Sequence, residues 1–505
     1  MPDEVREAIN KANHGIAPTG IEGLDDVLGG GLQRRRLYLV EGVPGSGKTT
    51  LALQFLLSAV ARGEGVLYVT LSETLEELNS VAASHGWSLD GVIVHEMMPT
   101  EGVLDPDEQS TMFHPSEIEL AQTTRSILAD VDRHNPTCLV IDSLSELRML
   151  SGSPLRYRRQ ILALKQYFAS RGCIVILLDD MTGADEPDVQ VQSIVHAVLR
   201  LEQLKPEYGS DRRRLRVVKY RAQNFRGGYH DYCIKRGGLQ VFPRLVAAEH
   251  RQELSRGKLE SGIRELDALM GGGIEQGTST LFVGAAGTGK STLAAQFAAA
   301  AASRGKHAAC FVFDESTATL LTRATQLGIP LAEGVAKGLV TIQPVDPAEF
   351  SPGELVHQVR LAVERDNAVL IVIDSLNGYL NAMPGERHLA IQLHELLAYL
   401  SQRNVATILV AAHQGLIGQM TVSVDATYLA DAVVLLRFFE ARGEIRQALS
   451  VVKKRGGSHE RTIREFGLEN GAIKVGEALR EFRGILTGVP TYEGVDAPLM
   501  KDHGR

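Results

Sequence analysis

Two glycine-rich loops of one pattern, 242 positions apart, constrain this chain more than any other feature. Gly42-Val43-Pro44-Gly45-Ser46-Gly47-Lys48-Thr49, continued by Thr50, and Gly284-Ala285-Ala286-Gly287-Thr288-Gly289-Lys290-Ser291, continued by Thr292, both fit G-x-x-x-x-G-K-[ST]. Such a loop offers backbone N–H groups to nucleotide phosphates, a lysine to the outer phosphate oxygens and a hydroxyl to a magnesium ion. ATP and Mg²⁺ are the cofactors this pattern calls for. A loop of this kind joins a buried strand to a helix, so two of them dictate two α/β units.

The surroundings are duplicated as well. The offset between Gly42 and Gly284 recurs between Thr19-Gly20-Ile21 and Ser261-Gly262-Ile263, and between Gly29-Gly30-Gly31 and Gly271-Gly272-Gly273. Helical apolar patterns follow each loop, then β-branched and aromatic runs, Val66 to Thr70 and Ala309 to Phe313, that end in acidic residues. Further on, Cys138-Leu139-Val140-Ile141-Asp142-Ser143 answers Leu370-Ile371-Val372-Ile373-Asp374-Ser375, and Ile174 to Leu178 answers Thr407 to Ala411. Continuous apolar runs of this length, alternating with helical patterns, predict parallel strands buried on both faces, with ligands at their carboxyl ends. The boundary between the halves is expected near residue 247, giving units 1–247 and 248–482. A tail, 483–505, contains Gly484, Gly488 and Pro490 and reads as a mobile extension.

Composition narrows the function. The chain of 505 residues is 44% hydrophobic and 23% charged, as expected of a folded soluble protein. A net charge of −8 argues against nucleic acid as the main partner. The runs Arg34-Arg35-Arg36 and Arg212-Arg213-Arg214 read as solvated loop charge. Cys138, Cys173, Cys233 and Cys310 form no C-x-x-C pair and look like small buried hydrophobes of a reducing compartment. No leader-like apolar segment opens the chain and no apolar run reaches membrane-spanning length, so a cytoplasmic protein without membrane contact is expected.

Phosphoryl transfer needs charge on the γ-phosphate, a bridging metal and an oriented nucleophile. Lys48, Thr49 and Asp142 supply the first two in the N-terminal half, and Lys290, Ser291 and Asp374 in the C-terminal half, with Thr49, Asp142, Ser291 and Asp374 as the Mg²⁺ ligands. Glu73, and Asp314 with Glu315, follow the neighbouring strand and are candidates to orient water or a hydroxyl; the alternative role is a helix cap. Late in each half stands a K-x-R element, Lys219-Tyr220-Arg221 and Lys453-Lys454-Arg455. On a strand, its two cations share one face and either edge the sheet or reach a phosphate, possibly one in a neighbouring subunit.

Taken together, the duplicated T/S-G-I…L-D…G-G-G segments, both loops, the K-x-R elements, Arg442-Gly443-Glu444, Ile463-Arg464-Glu465-Phe466 and Ile485-Leu486-Thr487-Gly488-Val489-Pro490 resemble the KaiC family over nearly the whole chain. The resemblance implies two tandem RecA-like P-loop domains, each a mostly parallel twisted sheet flanked by helices. It implies a homo-hexameric double ring with ATP between subunits, for which a single hexamer and a stacked dodecamer read alike, and a KaiB-like protein as a partner. It further implies an N-terminal ATPase ring and a C-terminal ring that also phosphorylates itself on serine or threonine, with Lys219/Arg221 and Lys453/Arg455 contacting the neighbour's nucleotide. By position, the family's Ser-Thr phosphoacceptor pair falls on Thr427-Tyr428, with Thr421 and Ser423 nearby. Two departures stand out. Ser72-Glu73 and Asp314-Glu315 replace the family's paired glutamates, which leaves Glu73 the one carboxylate of its half at this place.

Two alternatives follow from the same residues. A DNA-acting RecA-like motor would want a basic channel loop or a zinc module, and the acidic Asp185-Glu186-Asp188 cluster points away from it. A nucleotide-gated scaffold with little turnover fits the loss of a carboxylate at Ser72.

Overall fold

The computed structural model describes residues 15–97, 115–181, 189–206, 209–250, 257–381, 389–413, 427–441, 443–469, 471–487 and 490–492. Asp185, Glu186, Asp188, Thr421, Ser423, Arg442, Gly488 and Val489 lie outside them. The chain divides into two compact units, Met1–Arg244 and Leu245–Arg505, each built on one nine-stranded sheet.

In the N-terminal unit the strands are β1 (Leu37–Gly42), β2 (Val66–Thr70), β3 (Val92–Glu96), β4 (Cys138–Asp142), β5 (Ile174–Asp180), β6 (Ala197–Leu204), β7 (Arg212–Tyr220), β8 (His230–Lys235) and β9 (Gly238–Phe242). Across the sheet they run β3-β2-β4-β5-β1-β6-β7-β8-β9. The strands from β3 to β6 are parallel, and β7, β8 and β9 extend the sheet antiparallel. The C-terminal unit repeats the plan with β10 (Ser279–Gly284), β11 (His307–Val312), β12 (Val340–Pro344), β13 (Ala368–Asp374), β14 (Ala406–Ala412), β15 (Ala432–Ala441), β16 (Glu444–Lys454), β17 (Arg464–Glu469) and β18 (Ala472–Ala478), ordered β12-β11-β13-β14-β10-β15-β16-β17-β18. These are two tandem RecA-like α/β domains.

The period of two along each strand divides the core in two. Tyr38, Val40, Val66, Tyr68, Val140 and Ile176 face one layer with the helix Lys48–Ala61, through its Leu51, Ala52, Phe55 and Leu56. Leu37, Leu39, Leu67, Val69, Leu139 and Leu177 face the other, against Tyr157, Ile161, Leu164 and Phe168 of the helix Pro154–Arg171. Those four helical residues recur at the spacing of one helix face. With both faces covered, the central strands have no polar side, which is why they read as unbroken apolar runs.

Two expectations change. Arg212, Arg213 and Arg214 open β7 instead of lying in a loop, and Arg214 pairs with Glu202 at 2.9 Å. The tail is not loose where it is described: Ile485 is 1% exposed, Arg437 Nη1 donates to the Leu486 carbonyl, and Phe482–Arg483 pairs with Thr491–Tyr492. Packing of Phe482 against Phe439 anchors this segment, a long-range contact that periodicity does not reveal.

Candidate functional site

Each loop leaves the carboxyl end of the central strand, β1 or β10, and enters a fourteen-residue helix, Lys48–Ala61 or Lys290–Ser303. Gly47 and Gly289 are the N-caps, at φ 95° and 93°, and neither provides a side-chain cap. The first helical N–H groups therefore have no side-chain acceptor, which is the arrangement that binds phosphate. A Cβ on Gly47 would stand 2.4 Å from Ile234 Cδ1, and one on Gly289 2.9 Å from Phe466 Cε1. Both glycines are needed for conformation and for space, because β8 and β17 roof the loops. Tyr232 of β8 fastens the roof, its OH donating to the Ser46 carbonyl at 2.6 Å.

The loop lysines differ in company. Lys48 Nζ donates to the carbonyls of Gly42 and Val43, at 3.0 and 3.2 Å, and pairs with Asp180 at 2.6 Å. Lys290 Nζ donates to the Ala285 carbonyl at 2.7 Å. The strand pairings that put Asp180 beside Gly42 put Ala412 beside Gly284, so Lys290 lacks the corresponding acid. Burial pulls Lys290 down to about 8, opposed by Asp374.

The magnesium candidates fit as hydroxyl–carboxylate pairs. Thr49 Oγ1 donates to Asp142 Oδ2 at 3.2 Å, and the Ser291 hydroxyl favours the charged form of Asp374. An all-oxygen pair next to a phosphate cradle is the donor set Mg²⁺ takes when phosphates supply further ligands. Asp142 is held by a residue that the sequence reading passed over, Tyr68, whose OH donates to Oδ2 at 2.6 Å. Its only sequence signal is a tyrosine in an otherwise aliphatic strand, where the other half has Cys310. Burial raises Asp142 above the usual carboxylate range and takes Asp374 to about 6.

The nucleophile-orienting candidates are not helix caps. Thr74 caps the helix Leu75–His85 in a capping box with Glu77, and Ser316 caps Thr317–Gln326. Glu73 lies just outside its cap; its Oε2 is buried without a hydrogen-bond partner, and burial first, then Asp142, pushes it up to about 7. In the C-terminal half both acids are engaged. Ser375 Oγ donates to Asp314, and Arg323 grips Glu315 with Nη1 to Oε2 at 2.7 Å and Nη2 to Oε1 at 2.6 Å.

The K-x-R elements stand away from their own loops. Tyr220 pairs with Ala197, which pairs with Tyr38, four residues before Gly42. Four strand residues span roughly 13 Å. Lys454 sits likewise, next to Ala432 and through it Thr280. Lys219 Nζ donates to the Gln192 carbonyl and Arg221 Nη2 to that of Ser193 at 2.7 Å. Lys453 Nζ donates to the carbonyls of Thr427 and Ala430, at 2.7 and 2.8 Å. Arg455 reaches the Tyr428 carbonyl at 3.0 Å and Asp431 at 3.3 Å. The cations thus hold the segment that carries Thr427 and Tyr428.

The comparisons with known proteins agree with this architecture. The family model described as "ATPase: KaiC" matches residues 17–246 and again 259–480. Over 484 residues the chain is 26% identical to the circadian clock oscillator protein KaiC of Thermostichus vulcanus, covering 95% of this chain and 92% of that protein. It is 28% identical over 483 residues to the protein of that name from Prochlorococcus marinus strain SARG, covering 94% of each. With both halves matched, and a phosphate cradle with its acidic strand end in each, the chain belongs to the KaiC ATPase family.

Proposed function

We propose that this KaiC-family ATPase works as a homo-hexamer with ATP held between neighbouring subunits, and that its C-terminal half transfers a phosphoryl group to a hydroxyl of the chain itself. The observation that carries this reading is the separation of each K-x-R element, and of Thr427, from the loop of the same half. Thr427 lies five residues before Ala432, which pairs with Thr280 at the start of β10, while the loop follows Gly284 at its far end. A second copy is what brings these groups to a nucleotide.

Thr49 with Asp142, and Ser291 with Asp374, would hold Mg²⁺, which neutralises charge on the phosphates. Lys48 and Lys290 then leave their carbonyl partners for the γ-phosphate. In hydrolysis a water oxygen bonds to the γ-phosphorus as the β,γ-bridging bond breaks; ADP leaves and the water's proton passes to Glu73. In self-phosphorylation the Thr427 hydroxyl takes the place of water, and its proton goes to a carboxylate at the end of β11, Asp314 or Glu315.

The test is incubation with ATP followed by phosphosite mapping by mass spectrometry. Phosphate is expected on Thr427. A Lys290→Ala chain mixed with a Thr427→Ala chain is expected to recover modification on the Lys290→Ala subunits. Hydrolysis without modification at Thr427 or Tyr428 would remove the self-phosphorylation from this reading and leave the ATPase.

A further inference from the structure

The K-x-R element of the N-terminal half stands in a cluster of cations that its C-terminal counterpart lacks. Three consecutive carbonyls at the end of the helix Val189–Ile194 are taken by three different cations. Lys219 Nζ donates to that of Gln192, Arg221 Nη2 to that of Ser193 at 2.7 Å, and Lys165 Nζ, from the helix Pro154–Arg171, to that of Ile194 at 2.6 Å. Beside them lies His196, whose Nε2 donates to Gln33 Oε1 at 2.9 Å. Burial, with Arg36, Arg221, Lys165 and Lys219 around it, lowers His196 to about 4, so its ring is neutral near pH 7. Among the described residues no carboxylate pairs with Arg36, Lys165, Lys219 or Arg221. Glu41, which accepts from the Gln192 amide, is paired with Arg200 at 2.6 Å.

The sheet register locates the matching residues of the other half. Ala197 pairs with Tyr38 and Ala432 with Thr280, so Asp431 occupies the place of His196. Val175 pairs with Leu37 and Thr407 with Ser279, so Leu397 occupies the place of Lys165. Leu397 is buried in the core, and Asp431 pairs with Arg455 at 3.3 Å. The C-terminal element is thus partly neutralised from within, and the N-terminal one is not. Like charges gathered at a half-buried place repel one another, and Lys219 is drawn down to about 8 by burial first, then by Arg221 and Lys165. A polyanion relieves that repulsion more fully than neutral carbonyls do. We propose that Lys165 is a third cation of the N-terminal element, presented with Lys219 and Arg221 to the triphosphate bound on the neighbouring subunit, and that His196 keeps this group free of an internal acid. The inference rests on the hexameric reading and adds to its shared site a residue that the C-terminal half does not have.

The experiment uses the full chain carrying Lys290→Ala, which leaves the N-terminal site to be read alone. Lys165→Leu, which installs the residue of the other half, is expected to lower kcat for ATP about tenfold, less than the roughly 10²–10³ lost with a donor fixed on the developing charge. Lys165→Arg, which keeps the charge, should hold kcat within about threefold. His196→Asp, which supplies the acid of the other half, should lower kcat as Lys165→Leu does. The loss must also act across subunits. Mixing the Lys165→Leu/Lys290→Ala chain with a Lys48→Ala chain, whose K-x-R element is intact and whose own phosphate release is subtracted, should restore turnover at the live loops beside it. An unchanged kcat in Lys165→Leu or His196→Asp, a loss that Lys165→Arg shares in full, or one that mixing leaves in place overturns the proposal. Should Lys165→Leu not fold, Lys165→Gln is judged by the same outcomes. A parent chain that hydrolyses ATP as a monomer, or not at all, refutes the shared-site reading and this inference with it. An assembled, active parent indifferent to Lys165→Leu refutes the role of Lys165 alone.

Discussion

Lys48 and Asp180 meet at 2.6 Å in a place where a nucleotide needs the lysine for itself. Binding at the N-terminal loop must break this pair, whereas at the C-terminal loop the strand end beside Gly284 is Ala412. Asp180→Ala is accordingly expected to tighten ATP binding at the N-terminal site about fivefold, the worth of a partly exposed ion pair at ~1 kcal/mol. Titration of a fluorescent ATP analogue in a Lys290→Ala background measures it, and weaker binding would show that Asp180 assists the nucleotide. Tyr68 makes a different contribution, since a buried hydroxyl bonded to Asp142 orients that carboxylate. Tyr68→Phe should cost about 1–3 kcal/mol of stability, read from urea unfolding.

Among the elements, β8 does two things at once. It roofs the N-terminal loop through Tyr232 and Ile234, and it begins at His230, which is 1% exposed. His230 Nδ1 accepts from the Arg244 N–H and Nε2 faces the Arg226 carbonyl, both at 2.9 Å, so the neutral ring alone satisfies both partners. Burial lowers its pKa from 6.5 to about 4. The unfolded chain takes up a proton that the folded one refuses, so the stability this histidine contributes is complete above about pH 6.5 and is lost as pH falls toward 4. The loss amounts to about 3 kcal/mol at 1.36 kcal/mol per unit. Unfolding of the N-terminal unit followed from pH 7 to 4 should show this decline, and His230→Gln should flatten it. Gly47→Ala, which puts a Cβ 2.4 Å from Ile234, should abolish nucleotide binding at that loop while leaving binding at Lys290 intact.

The element scale is also where the sequence was most legible. Strands buried on both faces announce themselves as apolar runs, and the loops and strand-end acids carry local patterns, so the α/β plan and the phosphate cradle could be read directly. The fork of Arg323 onto Glu315, the pairing of Lys48 with Asp180 and the grip of Tyr68 on Asp142 could not. Their partners lie 8, 132 and 74 positions apart, and nothing in either residue's neighbourhood names the other.

For the whole molecule, the proposed hexamer, with sites finished by a second copy, would make assembly and nucleotide binding interdependent. Ligand bound between subunits stabilises the assembly by mass action. With Mg²⁺-ATP present, the chain is expected to sediment as a hexamer or a pair of hexamers, and a Lys48→Ala/Lys290→Ala chain as smaller species. Arg221→Ala is expected to lower kcat for the N-terminal half about tenfold or more while ATP still binds, because its cation would act on a neighbour's phosphate. Analytical ultracentrifugation and steady-state phosphate release check these two outcomes. A double mutant that still assembles would mean that subunit contacts suffice without nucleotide.

Lys453 and Arg455 hold the carbonyls of Thr427, Tyr428 and Ala430. A donor spent on a carbonyl is not available to a phosphate. In the proposed ring, cations that swing toward the adjacent nucleotide would untie the stretch from 427 to 430 in the same movement. Where each subunit would turn that strand end to one neighbour, the loosening would travel around the circle with a handedness, and filling one site would be felt downstream before it is felt upstream.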